Sequence, residues 1–322
     1  LPVFKAVGPK SNRDLREDGE NVILPDNPYP DDPALEREQA FALTETGEDR
    51  FTAPVVPSGL LRLYGGMVVA QGLAAAQRTV PADKPVHSLH AYFLKPGLTD
   101  RPLDFAVRRL TDGRSFAARG VSVTQDAKPI IEMMASFQTD EPGPDFTLPM
   151  PDVPSPEELP VLEDLFRTHA DTLPERHRPF WLRRQQVEWR PCEPYGFGDD
   201  SVRPPHRSFW FRMKEPLVAD QARQRCWLAY ASDFHIFQTG LLPLGYGFDN
   251  DYLQTSSLDH AIWFHGDADL NAWMLYALET PVSSGARLYS RGTMFRADGT
   301  PVAHVAQQGL VRVLDEVREG KI

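Results

Sequence analysis

The feature that most constrains the fold of this chain is an internal repeat. Displacing the first half by 172 positions superposes five identical residues within a short stretch, and a displacement of 170 superposes a His-Ala pair. Self-similarity at a fixed displacement marks a duplicated structural unit. The two halves are therefore predicted to share one fold. The matched pairs are Gly113 with Gly285, Arg119-Gly120 with Arg291-Gly292, Asp126 with Asp298, Pro129 with Pro301, and His90-Ala91 with His260-Ala261.

Each half has the pattern of one helix and an antiparallel meander. Residues 65–80 are rich in Ala, Gly and Val and contain no acidic residue, which predicts a helix buried on all sides. A second helix is predicted at 220–237. Hairpin turns are expected at Asp112-Gly113, at 126–128 and at Asp298-Gly299. The predicted strands are 87–94, 103–110, 116–125 and 130–137 in the first half, and 208–213, 257–264, 272–279, 286–296 and 301–313 in the second.

Proline-rich stretches divide the chain into domains. Residues 1–37 are polar and proline-spotted, which predicts an N-terminal arm. A second such stretch, 140–183, is predicted to be a linker with a short helix within 158–170. The N-terminal domain then spans 38–139 and the C-terminal domain spans 184–322. With 322 residues, 41% of them hydrophobic, the chain can bury a core in each domain.

Charge and cysteine content exclude several classes of protein. The net charge of −11 argues against a nucleic-acid partner. The two cysteines, Cys192 and Cys226, cannot form a disulfide scaffold and fit a reducing compartment. No run of 18 apolar residues, no signal peptide and no C-terminal Ser-Lys-Leu is visible. We therefore expect a cytoplasmic protein without a membrane partner.

Candidate catalytic residues lie where the two halves differ. The second helix carries Asp233 among apolar residues, whereas the first has no acid. Ala135 falls on Gln307 under the displacement of 172, and His87 falls on Ser257 under the displacement of 170. A partly desolvated carboxylate is a candidate general base, and a carboxamide with a hydroxyl can hold a water molecule. From local sequence alone, a capping or salt-bridged Asp, an outward-facing Gln and a strand-edge Ser remain the stronger interpretations.

Other catalytic and metal-binding patterns are missing. Asp259 and His260 are neighbours on a predicted strand and should point to opposite faces, so structural hydrogen bonding is favoured over a relay. His87 and His90 could pair as metal ligands only on a helix. The sequence has no His-Glu-x-x-His, Cys-x-x-Cys or Gly-x-Ser-x-Gly motif. We expect no metal, no cofactor and no serine nucleophile of the α/β-hydrolase type.

Several long motifs, in the same order, resemble the acyl-CoA thioesterase II family, also called choloyl-CoA hydrolase-like thioesterases. The resemblance runs from about residue 38 to residue 313 and covers both halves. The matching segments are Tyr64-Gly65-Gly66-Met67-Val68-Val69-Ala70-Gln71, Val86-His87-Ser88-Leu89-His90-Ala91-Tyr92-Phe93-Leu94-Lys95-Pro96-Gly97, Asp112-Gly113-Arg114-Ser115-Phe116, Ala135-Ser136-Phe137-Gln138, Tyr230-Ala231-Ser232-Asp233-Phe234 and Leu258-Asp259-His260-Ala261-Ile262-Trp263-Phe264-His265.

The resemblance implies an α+β double hotdog, in which two tandem antiparallel sheets each wrap around a long central helix. It also implies hydrolysis of acyl-CoA thioesters without a covalent intermediate. The catalytic Asp, hydroxyl and Gln of the family match Asp233, Ser257 and Gln307. A homo-oligomer, dimer or tetramer, is expected. The candidate substrate-binding residues are His87, Gly66, Phe234 and Trp263.

The chain departs from the family pattern at two positions. Ser257 stands where Thr is usual, and His235 stands where Asn is common. Two other hypotheses therefore stay open: a non-catalytic acyl-CoA-binding or sensing protein, and a hotdog hydratase or dehydratase. The second would be expected to have an acid–His pair on the central helix. Asp233 and His235 are two residues apart and would not face each other there.

Overall fold

The computed structural model describes residues 37, 39–54, 62–172, 178–182, 185–196, 201–247, 250 and 252–314. The predicted N-terminal arm, 1–37, lies outside the described residues apart from Arg37. Among the described residues, no helix is long and apolar enough to cross a membrane.

Thirteen strands of the described chain form one antiparallel sheet, in the order β1-β2-β4-β5-β6-β3-β10-β13-β12-β11-β8-β7, with β9 paired to β13 beside this path. The strands are β1 (Thr44–Gly47), β2 (Arg50–Ala53), β3 (Val86–Phe93), β4 (Leu103–Asp112), β5 (Phe116–Gln125), β6 (Lys128–Gln138), β7 (Val187–Pro191), β8 (His206–Met213), β9 (Leu253–Ser257), β10 (Asp259–Phe264), β11 (Met274–Ser284), β12 (Arg287–Arg296) and β13 (Pro301–Val313).

The two longest helices of the described chain pack side by side. The helices are α1 (Gly65–Gln77), α2 (Leu162–Thr168), α3 (Arg178–Leu182), α4 (Gln221–Ser232) and α5 (Ile236–Thr239). Helix α1 is buried on nearly all sides, as its small residues predict. A Cβ atom at Gly66 would lie 2.6 Å from the carbonyl oxygen of Tyr230 in α4. The glycine therefore permits the close approach of the two helices.

The order of the strands repeats between the halves. The first half reads β2-β4-β5-β6-β3 and the second reads β8-β11-β12-β13-β10 from its own outer side. Strands β3 and β10 pair with each other, with Ala91 opposite His260. The sequence predicted two tandem sheets, but this pairing joins the halves into one continuous sheet. The reason is that an unpaired edge leaves backbone donors and acceptors unsatisfied, and each half supplies the other's partner.

The helices and strands repeat between the halves, but in places the sequence match is offset by one residue from the structural match. His90 is exposed on the outer face of the sheet, whereas His260 is fully buried. Arg119 is likewise buried, and its sequence match Arg291 is exposed beside Glu279. Because side chains alternate between faces along a strand, a one-residue offset reverses the face. The superposed identities therefore do not imply equivalent roles.

The predicted helices and strands are largely confirmed, but the predicted meander is wrong for β3, which follows α1 and pairs with β6 instead of β4. Strands 116–125 and 301–313 match the structure at both ends. The predicted strand 257–264 is interrupted at Leu258, and the predicted helix 220–237 ends at Ser232. The sequence analysis missed β1, β2 and β7, which have only four or five residues each. Such short segments carry too few side chains for an alternating pattern.

Part of the linker lies on the outer face of the sheet in the C-terminal half. The indole Nε1 of Trp210 donates a hydrogen bond of 2.9 Å to the carbonyl of Pro154. Met150, Val153 and Leu159 pack against the buried side chains of this face, which include Trp210, Leu275 and Phe295. This segment therefore shields one half of the outer surface from water.

Candidate active site

Asp233 is placed by the end of α4. Asp220 caps the start of the helix, where its side chain accepts a hydrogen bond of 2.8 Å from the amide of Arg223, and the helix ends at Ser232. The chain then turns through His235, which has a left-handed φ of 64°. A non-glycine residue in this region costs about 1–2 kcal/mol, and such strain clusters at functional sites. The turn directs the Asp233 carboxylate toward α1.

The N-terminus of α1 receives this carboxylate. The Gly66 amide donates a hydrogen bond of 2.8 Å to Asp233 Oδ2. A Cβ at Gly65 would lie 3.0 Å from the same oxygen and 2.9 Å from the Phe93 ring. The first amides of a helix carry a partial positive charge that favours an anion. The Gly65-Gly66 pair thus lets Asp233 bind at a helix terminus that stabilises its charge.

Ser257 and Gln307 are in direct contact. The Gln307 Nε2 donates a hydrogen bond of 2.9 Å to Ser257 Oγ. Gln307 is fully buried on the inner face of β13, and Ser257 is the last residue of β9. The pairing of β9 with β13 places Gly309 opposite Ser257, which brings the hydroxyl within reach of Gln307. The carboxamide and the hydroxyl that the sequence singled out therefore form one unit.

A buried hydrogen-bond chain connects this unit to the end of α4. The carboxamide oxygen Oε1 of Gln307 lies 2.5 Å from His260 Nδ1. The other ring nitrogen, Nε2, lies 2.7 Å from Ser232 Oγ, which also lies 2.9 Å from the Ala229 carbonyl. Ser232 immediately precedes Asp233. The chain Ser232–His260–Gln307–Ser257 therefore runs beside the candidate base.

The electrostatics of this region keep its titratable partners neutral. Burial lowers the pKa of His260, and the nearby Asp233 carboxylate opposes this by a smaller amount. Burial, and secondly the charge of Asp233, raises the pKa of Tyr276 well above its usual value. The Tyr276 hydroxyl donates a hydrogen bond of 2.7 Å to the Ser232 carbonyl. His260 and Tyr276 are therefore neutral hydrogen-bonding residues beside Asp233.

An aromatic cavity lies beyond Phe234. Phe234 lines it together with Trp189, whose ring stacks on Phe234 with 5.5 Å between centroids. Helix α2 contributes Phe166, which stacks on Trp181 with 4.5 Å between centroids. Phe234 directly follows Asp233 in the chain. An apolar cavity therefore begins one residue away from the candidate base.

His235 is held among aromatic rings. It stacks on Phe209 with 4.0 Å between centroids, and its Nδ1 lies 3.0 Å from Gln238 Oε1. Burial lowers the pKa of His235 to about 3. In the turn, Asp233 points to Gly66 while the His235 ring packs on Phe209. This arrangement gives no support to the hydratase hypothesis, which requires an acid and a histidine that face one site.

Two candidate substrate-binding residues lie away from this cluster. His87 Nε2 lies 2.8 Å from Ser136 Oγ at the start of β3. Phe93, which approaches Gly65, stands six residues further along the strand, at about 20 Å. Trp263 packs edge-on against His90, on the face of β10 opposite to His260. The structure brings together Asp233, Gly66 and Phe234 but does not bring His87 or Trp263 to them.

Sequence reasoning missed the residues that connect the cluster. His260 was interpreted as a structural hydrogen-bonding residue, and Ser232 and Tyr276 were not considered. The alternation of faces correctly separated Asp259 from His260: Asp259 Oδ1 instead accepts a hydrogen bond of 2.7 Å from the Gln308 amide. A signal for His260 was present, because a polar residue at an inward position of a strand needs a buried partner.

Two family models match most of the described chain. The model described as acyl-CoA thioesterase matches residues 182–310, and the model described as acyl-CoA thioesterase N-terminal domain matches residues 52–138. The two matches cover the two halves of the internal repeat.

Individual relatives agree with the family models. The chain is 36% identical over 261 residues to acyl-CoA thioesterase 2 of Haemophilus influenzae, which covers 79% of this chain and 89% of the relative. The crystal structure of an acyl-CoA thioesterase II, TesB2, from Mycobacterium marinum superposes with a TM-score of 0.71 at 31% identity, over 87% of this chain and 99% of that one. A hot dog fold protein of unknown function from Alicyclobacillus acidocaldarius superposes with a TM-score of 0.69 at 19% identity, over 86% and 98% of the two chains.

Proposed function

Because this chain belongs to the acyl-CoA thioesterase family and hydrolyses acyl-CoA thioesters, we propose that Asp233 is its general base, acting on a water held by Ser257 and Gln307. The observation that carries the proposal is the chain of contacts that links the Ser257–Gln307 pair to Ser232, next to Asp233. The relatives are thioesterases, which gives no support to the sensor hypothesis.

The proposed reaction is a direct attack of water on the thioester. The water oxygen forms a bond to the acyl carbonyl carbon while one water proton moves to an Asp233 oxygen. The carbon–sulfur bond then breaks, the acyl group leaves as the carboxylic acid, and CoA leaves as a thiolate that needs no strong acid. Ser257 positions the water as a hydrogen-bond donor, since its oxygen accepts from the Gln307 amide and its proton is not used in that contact.

A single turnover in oxygen-18 water tests direct attack. With the enzyme in excess over a medium-chain acyl-CoA, each released acid should carry one oxygen from solvent. The peptide that contains Asp233 should carry none, because its carboxylate only accepts a proton. Label in that peptide, or an acyl adduct on it after an acid quench, would contradict the proposal and make Asp233 a nucleophile.

The fold is proposed to be a double hotdog with the domain boundaries predicted above, 38–139 and 184–322, joined by the linker 140–183. Support comes from the repeated strand order and from α1 and α4, which each precede the meander of their own half. The hot dog fold of the structural neighbour agrees with this assignment.

The aromatic cavity is proposed to open for the acyl chain, because its volume of about 10 Å³ in this structure has room for about one water. Phe234 joins it to Asp233, and its walls include Phe166, Trp181 and Trp189. Lys214 and Glu163, which pair with each other, stand at the same cavity. A linear apolar chain that extends from the thioester past Phe234 would contact these rings. Each buried methylene would contribute about 0.8 kcal/mol.

Shortening Phe166 is expected to shift the preferred acyl chain toward greater length. In Phe166→Leu and then Phe166→Ala, each methylene newly accommodated should raise kcat/KM for the longer substrate about fourfold, since about 0.8 kcal/mol is gained. Release of free CoA thiol from a series of acyl-CoAs measures the profile. Leu165→Ala is the control, because Leu165 lies on the same helix but does not line the cavity. An unchanged optimum in both Phe166 variants would place the acyl chain elsewhere.

The chain is also proposed to form a homo-oligomer. The outer face of the N-terminal half exposes apolar side chains, among them Tyr92, Leu110, Phe116 and Met134. The corresponding face of the other half is covered by the linker. Association of two chains through the bare face would remove this apolar surface from water.

A further inference from the structure

In the buried chain Ser232–His260–Gln307–Ser257, the orientation of the Gln307 carboxamide determines which groups donate hydrogen bonds and which accept them. The Gln307 carboxamide has an oxygen and a nitrogen of nearly equal size, and rotation by half a turn exchanges them. In the structure the nitrogen faces Ser257 at 2.9 Å and the oxygen faces His260 at 2.5 Å. An amide oxygen only accepts hydrogen bonds. His260 must therefore present its Nδ1–H to it.

The rest of the chain is consistent with that proton position. A neutral imidazole with its proton on Nδ1 has a bare Nε2, which accepts a hydrogen bond. Ser232 Oγ lies 2.7 Å from Nε2 and 2.9 Å from the Ala229 carbonyl; its single proton is donated to one of the two, and the shorter separation favours Nε2. Burial lowers the pKa of His260, which favours the neutral ring. All three side chains of this segment, Ser232, His260 and Gln307, are 0% exposed.

The opposite direction would change Ser257. If the carboxamide were reversed, its oxygen would face Ser257 and would take the hydroxyl proton. Ser257 would then have no proton with which to hold a water. With the nitrogen facing Ser257, the hydroxyl oxygen is occupied as an acceptor and its proton remains available. The orientation of the Gln307 carboxamide therefore decides what Ser257 can donate.

We propose that His260 is a positioning residue whose Nδ1–H locks the Gln307 carboxamide in the orientation that leaves the Ser257 proton free for the attacking water. The proposal rests on the proposed function, in which Ser257 and Gln307 hold that water. His260 does not touch the reacting atoms. It acts through Gln307. Its contact with Ser232, the last residue of α4, fixes the imidazole relative to the end of the helix, next to Asp233.

Two variants separate the donor function from packing. In His260→Asn the side-chain nitrogen can occupy the place of Nδ1 and donate to Gln307, but it cannot reach Ser232. In His260→Gln the longer side chain reaches the place of Nε2 and Ser232, but nothing donates at Nδ1. We expect kcat to fall about tenfold or less in His260→Asn and about 10²-fold in His260→Gln, with KM unchanged in both, because misplacement of a reacting group costs about that much. Thermal unfolding should show similar Tm values for the two variants.

A double-mutant cycle distinguishes this proposal from the proposed function itself. Gln307→Met removes the carboxamide, and near-normal hydrolysis in that variant would reject the role of Gln307. If Gln307→Met is slow, His260→Gln should add little to it, because both changes act through one group. Additive losses, or equal kcat values in His260→Asn and His260→Gln, would overturn the positioning role and leave the proposed function standing.

The position of the proton can be measured in the unaltered protein. Long-range nitrogen–proton NMR spectra of protein labelled with nitrogen-15 histidine distinguish the two imidazole tautomers, and His260→Asn identifies the signal. We expect the Nδ1–H tautomer at neutral pH. An Nε2–H tautomer would reverse the donors and acceptors along the buried chain and overturn the proposal.

Discussion

Replacing Asp233 with Asn is expected to lower kcat for acyl-CoA hydrolysis by roughly 10²–10⁴-fold, the range that removal of a general base produces. The Asn side-chain oxygen can still accept the hydrogen bond that the Gly66 amide donates at 2.8 Å to the native carboxylate. The contact between α1 and the end of α4 is thus retained. What is lost is the ability to take a proton from water. CoA thiol release under saturating substrate, with circular dichroism and thermal unfolding of the same sample, measures this.

A matched control uses a carboxylate outside the site. Asp267→Asn makes the same chemical change at a surface residue that pairs with Arg225 at 3.2 Å. Its hydrolysis rate should remain near that of the native chain. If Asp233→Asn also turned over at the native rate while correctly folded, the role of Asp233 would be rejected.

Replacing Gly66 with Ala is expected to damage both stability and catalysis. The added Cβ would lie 2.6 Å from the Tyr230 carbonyl oxygen and 2.8 Å from the Tyr64 ring. The backbone oxygen cannot swing aside as a flexible side chain can, so α1 and α4 must separate. Overpacking of this kind costs about 1–3 kcal/mol. This outweighs the roughly 1 kcal/mol by which Ala favours a helix over Gly.

The same displacement moves the amide that Asp233 binds. We expect kcat in Gly66→Ala to fall by about 10²-fold, since small shifts of a reacting group have effects of this size. Urea unfolding and CoA thiol release measure the two effects. Gly266→Ala is the control, because a Cβ there meets no atom of the described residues within 4 Å. Native activity together with native stability in Gly66→Ala would show that the close helix contact is not required.

Much of the fold could be predicted because its signals are local. The small residues of 65–80 indicated a buried helix, and α1 is buried on nearly all sides. The alternation in 116–125 and 301–313 predicted two strands whose ends match the structure. The strands β1, β2 and β7, which lie at or next to the edges of the sheet, were missed because their stability comes from neighbouring strands, and their four or five residues carry little pattern of their own.

Some residues of the candidate site could be predicted from the sequence, and others could not. Comparison of the halves identified Asp233, Ser257 and Gln307 as positions where the second half differs from the first. The contact between Ser257 and Gln307 is seen only in the structure. The candidate substrate-binding residues His87 and Trp263 lie elsewhere. The displacement by 170 superposed His90 on His260, but the structure places them on opposite faces, because a one-residue offset in a strand cannot be detected from a few identities.

The sequence by itself determined the duplicated unit of a helix and antiparallel strands and the identity of the three polar residues, but not the order of the strands in the sheet. These follow from periodicity, turn residues and comparison of one half with the other. Only the tertiary structure decided that β3 and β10 join the halves into one sheet and that Gly66 receives the Asp233 carboxylate. It also decided that His260 connects Ser232 to Gln307. These contacts join residues far apart in the chain, and their geometry is set by packing distances of a few ångströms that no local pattern encodes.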